Sequence, residues 1–370
     1  MCQSDKERYK QLLSLIGSLS NMFSDSNIPY LYYRVAERIY CNSFKALDLS
    51  RGDVSVDAKY NNYGIGLKTF LIGNRKTFQK VAEFNADIGL YADLDLGDKI
   101  RKVSELRNAR INFTNNTHII NESLYHCVVR DVNKFFIYET PMDLIDIGNI
   151  RNIKDRSGSI TFEDGKNEYS FLKSKSTLTK RFVTDDFLDS FDIQIIEDPI
   201  SRLLELANDS RVDIQIDNIL GTIYLPLYSV RSGIVENKSG LNQWNAGGRK
   251  RDMDEVYIPV PKIIHKLFVN FFPDRDTEFD LCLPNSQKMK AKICQDNGKA
   301  LMSNPNKDLG KWLLRDVLQL GEGTLVTSEL LQIIGVDSVR IDKVIKSGAI
   351  SYNINFAKSG SYEKFIGDYI

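Results

Sequence analysis

The sequence predicts a two-part chain of the α+β or α/β class, and three observations carry that prediction. Its 370 residues exceed one domain of roughly 100 to 200 residues and suit two. Over residues 1–222 strand-like and helix-like patterns alternate, as in mixed sheets covered by helices. Over residues 223–370 short strand-like runs dominate with two or three helices, which suits a small barrel with helical plugs. Hydrophobic residues are 42% and charged residues 26%, so collagen-like, low-complexity and wholly disordered chains are excluded.

The elements follow from local pattern. Leu12, Leu15, Ile16, Leu19 and Phe23 recur at helical spacing and stop at the polar run Ser24–Asn27. A second helix follows Pro29, with Leu31, Val35 and Ile39 in one stripe and Glu37 on a flank that can turn inward. DVSVDAKY and YGIGLKTFL, joined by Asn61-Asn62, read as a hairpin. Helices are expected from about Lys76 to Asp87 and through Ile100, Val103, Leu106 and Ile111. YHCVVRD, KFFIYETPM, SITF and EYSF read as strands, the last two joined across Asp164-Gly165; the strand IQII and the helix SRLLELA follow. Beyond the boundary drawn at residue 222 come a loop from Arg231 to Arg251 with four glycines and the strands EVYIPVP, FDLCLP, KMKAKIC, DSVRID and SYNINFA. PKIIHKLFVNFF, LGKWLLRDVLQL and SELLQIIG read as helices there.

Charge excludes the simplest route to a nucleic-acid binder, because 49 basic residues balance 49 acidic ones. Residues 1–222 hold 29 basic against 32 acidic residues, and residues 223–370 hold 20 against 17. Any nucleic-acid surface is therefore a local patch; Arg249–Arg251 and the run Lys173, Lys175, Lys180 and Arg181 are the visible ones. Five cysteines without a CxxC pair support neither a disulfide framework nor a structural zinc site. With no apolar span or export signal, a cytoplasmic location and no membrane partner are expected. His118, His126 and His265 are too isolated for a zinc cluster. Phosphate-binding, dinucleotide-binding and serine-elbow motifs do not occur.

The chemically informative stretch is Asp53 to Asn85. With Asn61-Asn62 as the turn, Tyr60 faces Tyr63 and Asp57 falls opposite Gly66, with Lys68 two residues along. Side chains alternate with period two, so Asp57, Gly66 and Lys68 project the same way, the two charged residues about 7–8 Å apart at the backbone. Gly66 leaves space between them, and Glu83 enters from the following helix. Two carboxylates and a lysine suit Mg²⁺, which binds through one or two carboxylates, phosphate and waters. The lysine orients or deprotonates the attacking water, or offsets phosphate charge. Against this stands a cross-strand surface pair worth less than about 1 kcal/mol.

This order of Asp, lysine on the next strand and Glu on the next helix resembles the PD-(D/E)XK nuclease core. Gly66 stands where that superfamily has an acid two residues before the lysine. A known variation moves the carboxylate to the following helix, which QKVAEFN around Glu83 matches. The resemblance implies Asp57, Lys68 and Glu83 as catalytic residues, with Asp57 and Glu83 on the metal, Asp53 as a rival to Asp57, and Glu37 of YRVAERIY as a further metal ligand.

The runs SGLNQWN, GGRKR, DEVYIPVP, FFPDRDTEFDLCLP, KAKICQDNGKALMSNPNKDLGKWLLRDVLQL and LLQIIGVDSVRI resemble the C-terminal recognition domain of NgoFVII-type restriction endonucleases. Such domains are similar to the plant B-three pseudobarrel, whose two arms straddle DNA in the major groove. The phospholipase D-like HxK signature common in that family is absent here, so its catalytic details do not transfer. The resemblance implies two DNA-reading segments. One holds Asn242, Gln243, Trp244, Asn245, Arg249, Lys250 and Arg251; the other holds Gln295, Asp296, Asn297, Lys299, Ser303, Asn304 and Asn306. Their chemistry agrees, since Arg pairs with guanine and Asn or Gln with adenine, while Lys and Ser hold phosphates. Turn and helix-cap chemistry competes for the same residues, Asn306 before the helix near Leu309 above all. Met302 and Trp312 read as core.

Together these resemblances imply a PD-(D/E)XK-like mixed sheet flanked by helices in residues 1–222 and a B-three-like reader in residues 223–370. They imply a Mg²⁺-dependent Type II restriction endonuclease acting on double-stranded DNA in phage defence, with a separately encoded DNA methyltransferase. Cutting both strands implies a homodimer, a transient second copy or successive nicking. A non-cleaving DNA-binding regulator, which Gly66 favours, and a nuclease acting in repair or on modified DNA are the alternatives.

Overall fold

A computed structural model describes residues 2–52, 54–208, 218–346 and 349–369. The chain divides into two compact units, Met1–Asn115 with Ile120–Ile214, and Asn116–Ile119 with Gln215–Ile370. The strand Asn218–Pro226 lies wholly in the second unit, so residue 222 falls inside a strand.

The first unit opens with α1 (Gln3–Ser18), α2 (Tyr33–Phe44), β1 (Leu47–Asp48), β2 (Ala58–Tyr60), β3 (Tyr63–Leu71) and β4 (Lys76–Glu83). There follow α3 (Leu96–His118), β5 (Glu122–Asp131), β6 (Lys134–Pro141), β7 (Arg151–Asp155) and β8 (Ser159–Glu163). The unit closes with β9 (Glu168–Leu172), β10 (Thr177–Val183), β11 (Asp189–Asp192) and α4 (Pro199–Asn208). The strands make a mixed six-stranded sheet, β1-β2-β3-β5-β6-β11, and an antiparallel five-stranded sheet, β4-β10-β9-β8-β7.

The hairpin has the expected register: Tyr60 faces Tyr63 and Ala58 faces Ile65, with Asn61 at φ +52°, a backbone that Asn adopts readily. β3 runs parallel to β5 from Tyr63 beside Glu122 to Leu71 beside Arg130. A parallel pair needs a crossover, and α3, about 35 Å long, supplies much of it. α1 and α2 cover one face of this sheet, where Leu13, Ala36, Tyr40 and Phe44 pack against Ile65, Leu67, Val128 and Ile137. The other face joins Phe70, Tyr125, Cys127 and Val129 to Ile111 of α3 and Phe182 of β10.

Two expectations fail here. Residues Lys76 to Glu83 are not helical but form β4, paired along β10 from Thr177 opposite Glu83 to Val183 opposite Lys76. Thr77, Phe78 and Val81 suit a strand, and a partner about a hundred residues away supplies the ladder that local spacing does not reveal. IQII is likewise not a strand; β11 ends at Asp192, just before it.

In the second unit β12 (Asn218–Pro226), β13 (Ile258–Pro259), α5 (Lys262–Leu267), β14 (Glu278–Cys282), β15 (Lys288–Cys294) and β16 (Ala300–Ser303) come first. α6 (Asp308–Gly310) runs into a π-helical turn over Lys311–Val317. Then come α7 (Ser328–Ile334), β17 (Val336–Lys346), β18 (Ala349–Lys358) and α8 (Ser361–Gly367). α7 is capped by Thr327, whose hydroxyl accepts from Leu330 N–H at 3.2 Å.

All seven strands join one sheet in the order β12-β17-β18-β14-β15-β16-β13, parallel between β14 and β18. It is open, with β12 and β13 at its edges, so the closed small barrel expected from the strand runs does not form. Met302 and Trp312 are core, the indole stacked on Phe356 at 5.4 Å. The five cysteines are unpaired, and among the described residues no helix is long and apolar enough to cross a membrane.

Candidate active site and DNA-contacting segments

Asp57 directly precedes β2. Its N–H donates to the Ile65 carbonyl at 2.8 Å and its own carbonyl accepts from Leu49 N–H at 2.9 Å, which ties it into the hairpin. Its Oδ2 accepts from Leu67 N–H at 2.7 Å. Lys68, half-buried on β3, holds its Nζ 5.8 Å from the centre of the Tyr125 ring. Glu37, buried on α2, faces the Arg34 guanidinium at 3.4 Å, and the same guanidinium donates to the Ser50 carbonyl at 2.6 Å.

Electrostatics join these groups. Burial raises the Asp57 carboxyl above its ordinary range, against the pull of the Lys68 ammonium, the Leu67 N–H and Arg34. Burial first, then the Asp57 charge, raises Glu37, while Arg34 and Ser50 act the other way. Two desolvated carboxyls, one raised by the other's charge, are a place where a hard cation relieves repulsion. Among the described residues no three His, Cys, Asp or Glu side chains are grouped to hold a metal ion. Two carboxylates, with phosphate and water completing the shell, are within what Mg²⁺ uses. The donor set present, two carboxyls of which one feels the other's charge, is of the kind such an ion uses.

The structure departs from the expected site at Gly66 and Glu83. The space over Gly66 is not a gap between Asp57 and Lys68: a Cβ there would lie 2.6 Å from Met142 Cε and 3.0 Å from Tyr125 Cδ1. The Met142 methyl ends a flexible side chain, so the firmer constraint on a side chain here is the Tyr125 ring. Gly66→Ala is expected to lower stability by about 1–3 kcal/mol, read as a fall in the denaturation midpoint; an unchanged midpoint would refute the packing argument.

Glu83 ends β4 in the five-stranded sheet, whereas Lys68 lies in the six-stranded one. Glu83 pairs with Lys80 and accepts from Asn85 Nδ2 at 2.6 Å. It is therefore neither helical nor on the sheet of the Asp57–Lys68 hairpin. Asp53 lies outside the described residues. Arg34 was missed by sequence reasoning, although its position three residues before Glu37 is the helical spacing of an ion pair.

The basic run Lys173–Arg181 is not a free cationic patch. Lys173 pairs with Asp155, and Arg181 with Glu168 at 2.6 Å. Lys180 is buried, donating to the Pro141 carbonyl at 3.2 Å, and burial lowers its pKa to about 8. His126 bridges Tyr9 and Glu139 at 2.9 and 2.7 Å in the core.

The two DNA-reading segments are only partly open. Asn242 is fully buried; its Nδ2 donates to the Glu236 and Val326 carbonyls, and its Oδ1 accepts from Val326 N–H at 2.9 Å. It fastens the loop and does not read bases. Gln243, with its amide oxygen turned toward Arg251, accepts from that guanidinium at 3.1 Å. Trp244 is half-buried, and its indole N–H has no partner among the described residues. Arg249 and Arg251 both bind the buried carboxylate of Glu255, at 2.5 and 3.3 Å. Arg251 also donates to the Ala246 and Gly247 carbonyls. Asn245 is exposed while donating to the Asn237 carbonyl, and Lys250 is exposed.

In the second segment Ser303 is buried, its hydroxyl donating to the Pro305 carbonyl and accepting from Leu309 N–H. Asn304, exposed, donates to Glu278. Gln295 is half-buried, and Asp296, Asn297, Lys299 and Asn306 are exposed. Asn306 does not cap α6, whose N-terminus has no side-chain cap.

Removing the Asn242 side chain leaves buried backbone groups unpaired, so Asn242→Ala is expected to destabilise the protein by about 1–3 kcal/mol. Lys250→Ala should leave the melting temperature unchanged and weaken DNA binding uniformly, lowering the salt slope by about one. Calorimetry and binding titrations at several salt concentrations check both. An unaltered melt in the first, or an altered one in the second, would contradict these roles.

Residues 220–344 match the family model of the NgoFVII C-terminal B3-like DNA-binding domain. This stretch runs from within β12 to within β17 and includes both segments. A DNA-binding domain of restriction-enzyme type is therefore present. The chain matches no curated protein in the comparison made.

Proposed function

We propose that this chain is a sequence-specific Type II restriction endonuclease that hydrolyses double-stranded DNA with Mg²⁺, the second unit reading and the first cutting. The observations that carry this reading are Asp57 and Lys68 on one hairpin, with the buried Glu37 of α2 near enough to feel the Asp57 charge, in a chain whose other unit has a restriction-enzyme reader. The β2–β3 hairpin, the α3 crossover and the parallel β5 support a PD-(D/E)XK-like arrangement.

Asp57 and Glu37 would hold the metal, with Arg34 keeping Glu37 in place. Bound Mg²⁺ supplies a water of lowered pKa and charge on the phosphate. Lys68, held over Tyr125, offsets the charge that develops on the phosphate oxygens. Glu83 has no part in this version of the site. One such centre cuts one strand, so double-strand cleavage calls for a homodimer or a transient second copy, and protection of host DNA for a separate methyltransferase.

The second reading is a non-cleaving regulator, favoured by Gly66, which lacks the acid and is packed shut. Uptake of Mn²⁺ or Ca²⁺ separates the two. Calorimetric binding that is lost in Asp57→Asn and Glu37→Gln supports the nuclease; no uptake by the wild-type protein with DNA present supports the regulator.

A further inference from the structure

The second unit holds a cavity of about 280 Å³ flanked by both DNA-reading segments. Ser239, Gly240 and Leu241, directly before Asn242, form one wall, and Lys299 of the other segment contributes a second. The Lys299 carbonyl accepts from Val260 N–H at 2.8 Å, and the Gly240 carbonyl from Tyr257 N–H at 3.1 Å, which fixes both walls to the Tyr257–Val260 stretch. Lys262, Lys299 and Val230 line the cavity and are exposed, so it opens at the surface.

We propose that this cavity receives a single nucleobase turned out of the bound duplex, and that the base carries an exocyclic amine, as adenine and cytosine do. The inference rests on the reading of this unit as a DNA binder. Its volume lies just below the roughly 300–1,000 Å³ of pockets for drug-sized ligands, so it suits one ring system and not a base pair. Tyr228, Tyr257 and two prolines, Pro259 and Pro261, give flat apolar walls, the surfaces on which an extruded base stacks.

Glu236 bears on the polarity of the occupant. It lines the cavity, and its carboxylate accepts from the Ser232 hydroxyl at 2.6 Å, which leaves acceptor capacity on a group with about four lone-pair sites. A carboxylate repels phosphate and takes an amine donor. Lys262 and Lys299 at the mouth suit the phosphates flanking the extruded nucleotide.

The test uses the full chain without metal and duplexes selected by it from a randomised pool. 2-Aminopurine is placed beside each adenine and each cytosine in turn, which leaves the amine of the candidate base in place and reports its loss from the stack, while anisotropy measures binding in parallel. A several-fold fluorescence rise at one position on binding, lost in Ser229→Phe, which fills the cavity, is the expected result. Val230→Phe, at a rim position 52% exposed, gives the same reading should Ser229→Phe not fold. Tight binding with no rise at any position, or a rise unchanged in a folded filled variant, overturns the proposal and leaves the DNA-binding reading standing. No binding to any duplex overturns both.

Discussion

Lys68→Ala is expected to bind DNA as the wild-type protein does and to cleave it about 10²–10⁴-fold more slowly, the range seen when a charge-stabilising or proton-transferring group is removed. Lys68 is half-buried over the Tyr125 ring, and an exposed-to-intermediate cation–π contact is worth about 0.5–1 kcal/mol. The variant should therefore fold. Asp57, which loses the nearby ammonium, should rise further in pKa, because Lys68 is the foremost group pulling it down. Cleavage rates under single-turnover conditions and binding by anisotropy separate chemistry from recognition. Equal losses of binding and cleavage would show that Lys68 acts through the fold, contrary to this account.

Asp57→Asn is expected to abolish cleavage while making the metal-free protein more stable. The amide keeps an oxygen for Leu67 N–H and removes the buried charge that also raises Glu37. The folded-state pKa of Asp57 is raised, so the native state holds its proton more tightly than the unfolded chain. Stability from this group is present at acid pH and falls as pH rises from the ordinary carboxylate range through the raised value. The variant does not share that fall. Its advantage in metal-free buffer should thus be small at low pH and full at neutral pH, each 1 kcal/mol reading as about 2–4 °C in the melting temperature. Mn²⁺ should raise the melting temperature of the wild-type protein alone. A variant less stable than wild type at pH 7 without metal would mean that the Asp57 charge is compensated within the protein.

What was legible in the sequence was local. Asn61-Asn62 between alternating runs marked the hairpin, and with it the pairing of Tyr60 with Tyr63 and Ala58 with Ile65. The flank position of Glu37 on an amphipathic helix foretold its burial. What was not legible depends on partners far along the chain. β4 is a strand because β10 pairs with it, and KTFQKVAE by itself satisfies a helical spacing as well. Gly66 reads as an opening in one dimension, but Met142 and Tyr125, from residues 59 or more positions away, occupy it.

The reader segments teach a related lesson. An inventory of amides and cations does not tell which ones the fold itself consumes: Asn242 closes onto Val326, and Glu255 takes both Arg249 and Arg251. The second of these was within reach, since Glu255 stands four residues after Arg251. β16, in KALMS, was missed because four residues give too short an alternation to register.

The most direct test of a reader and a cutter in one chain is incubation of the purified protein with unmodified phage DNA, with and without Mg²⁺, followed by sequencing of the ends. Discrete fragments that require Mg²⁺ and share one sequence near their ends are the predicted result. DNA left intact under conditions where the protein binds one sequence specifically would contradict the account and leave the regulator in its place.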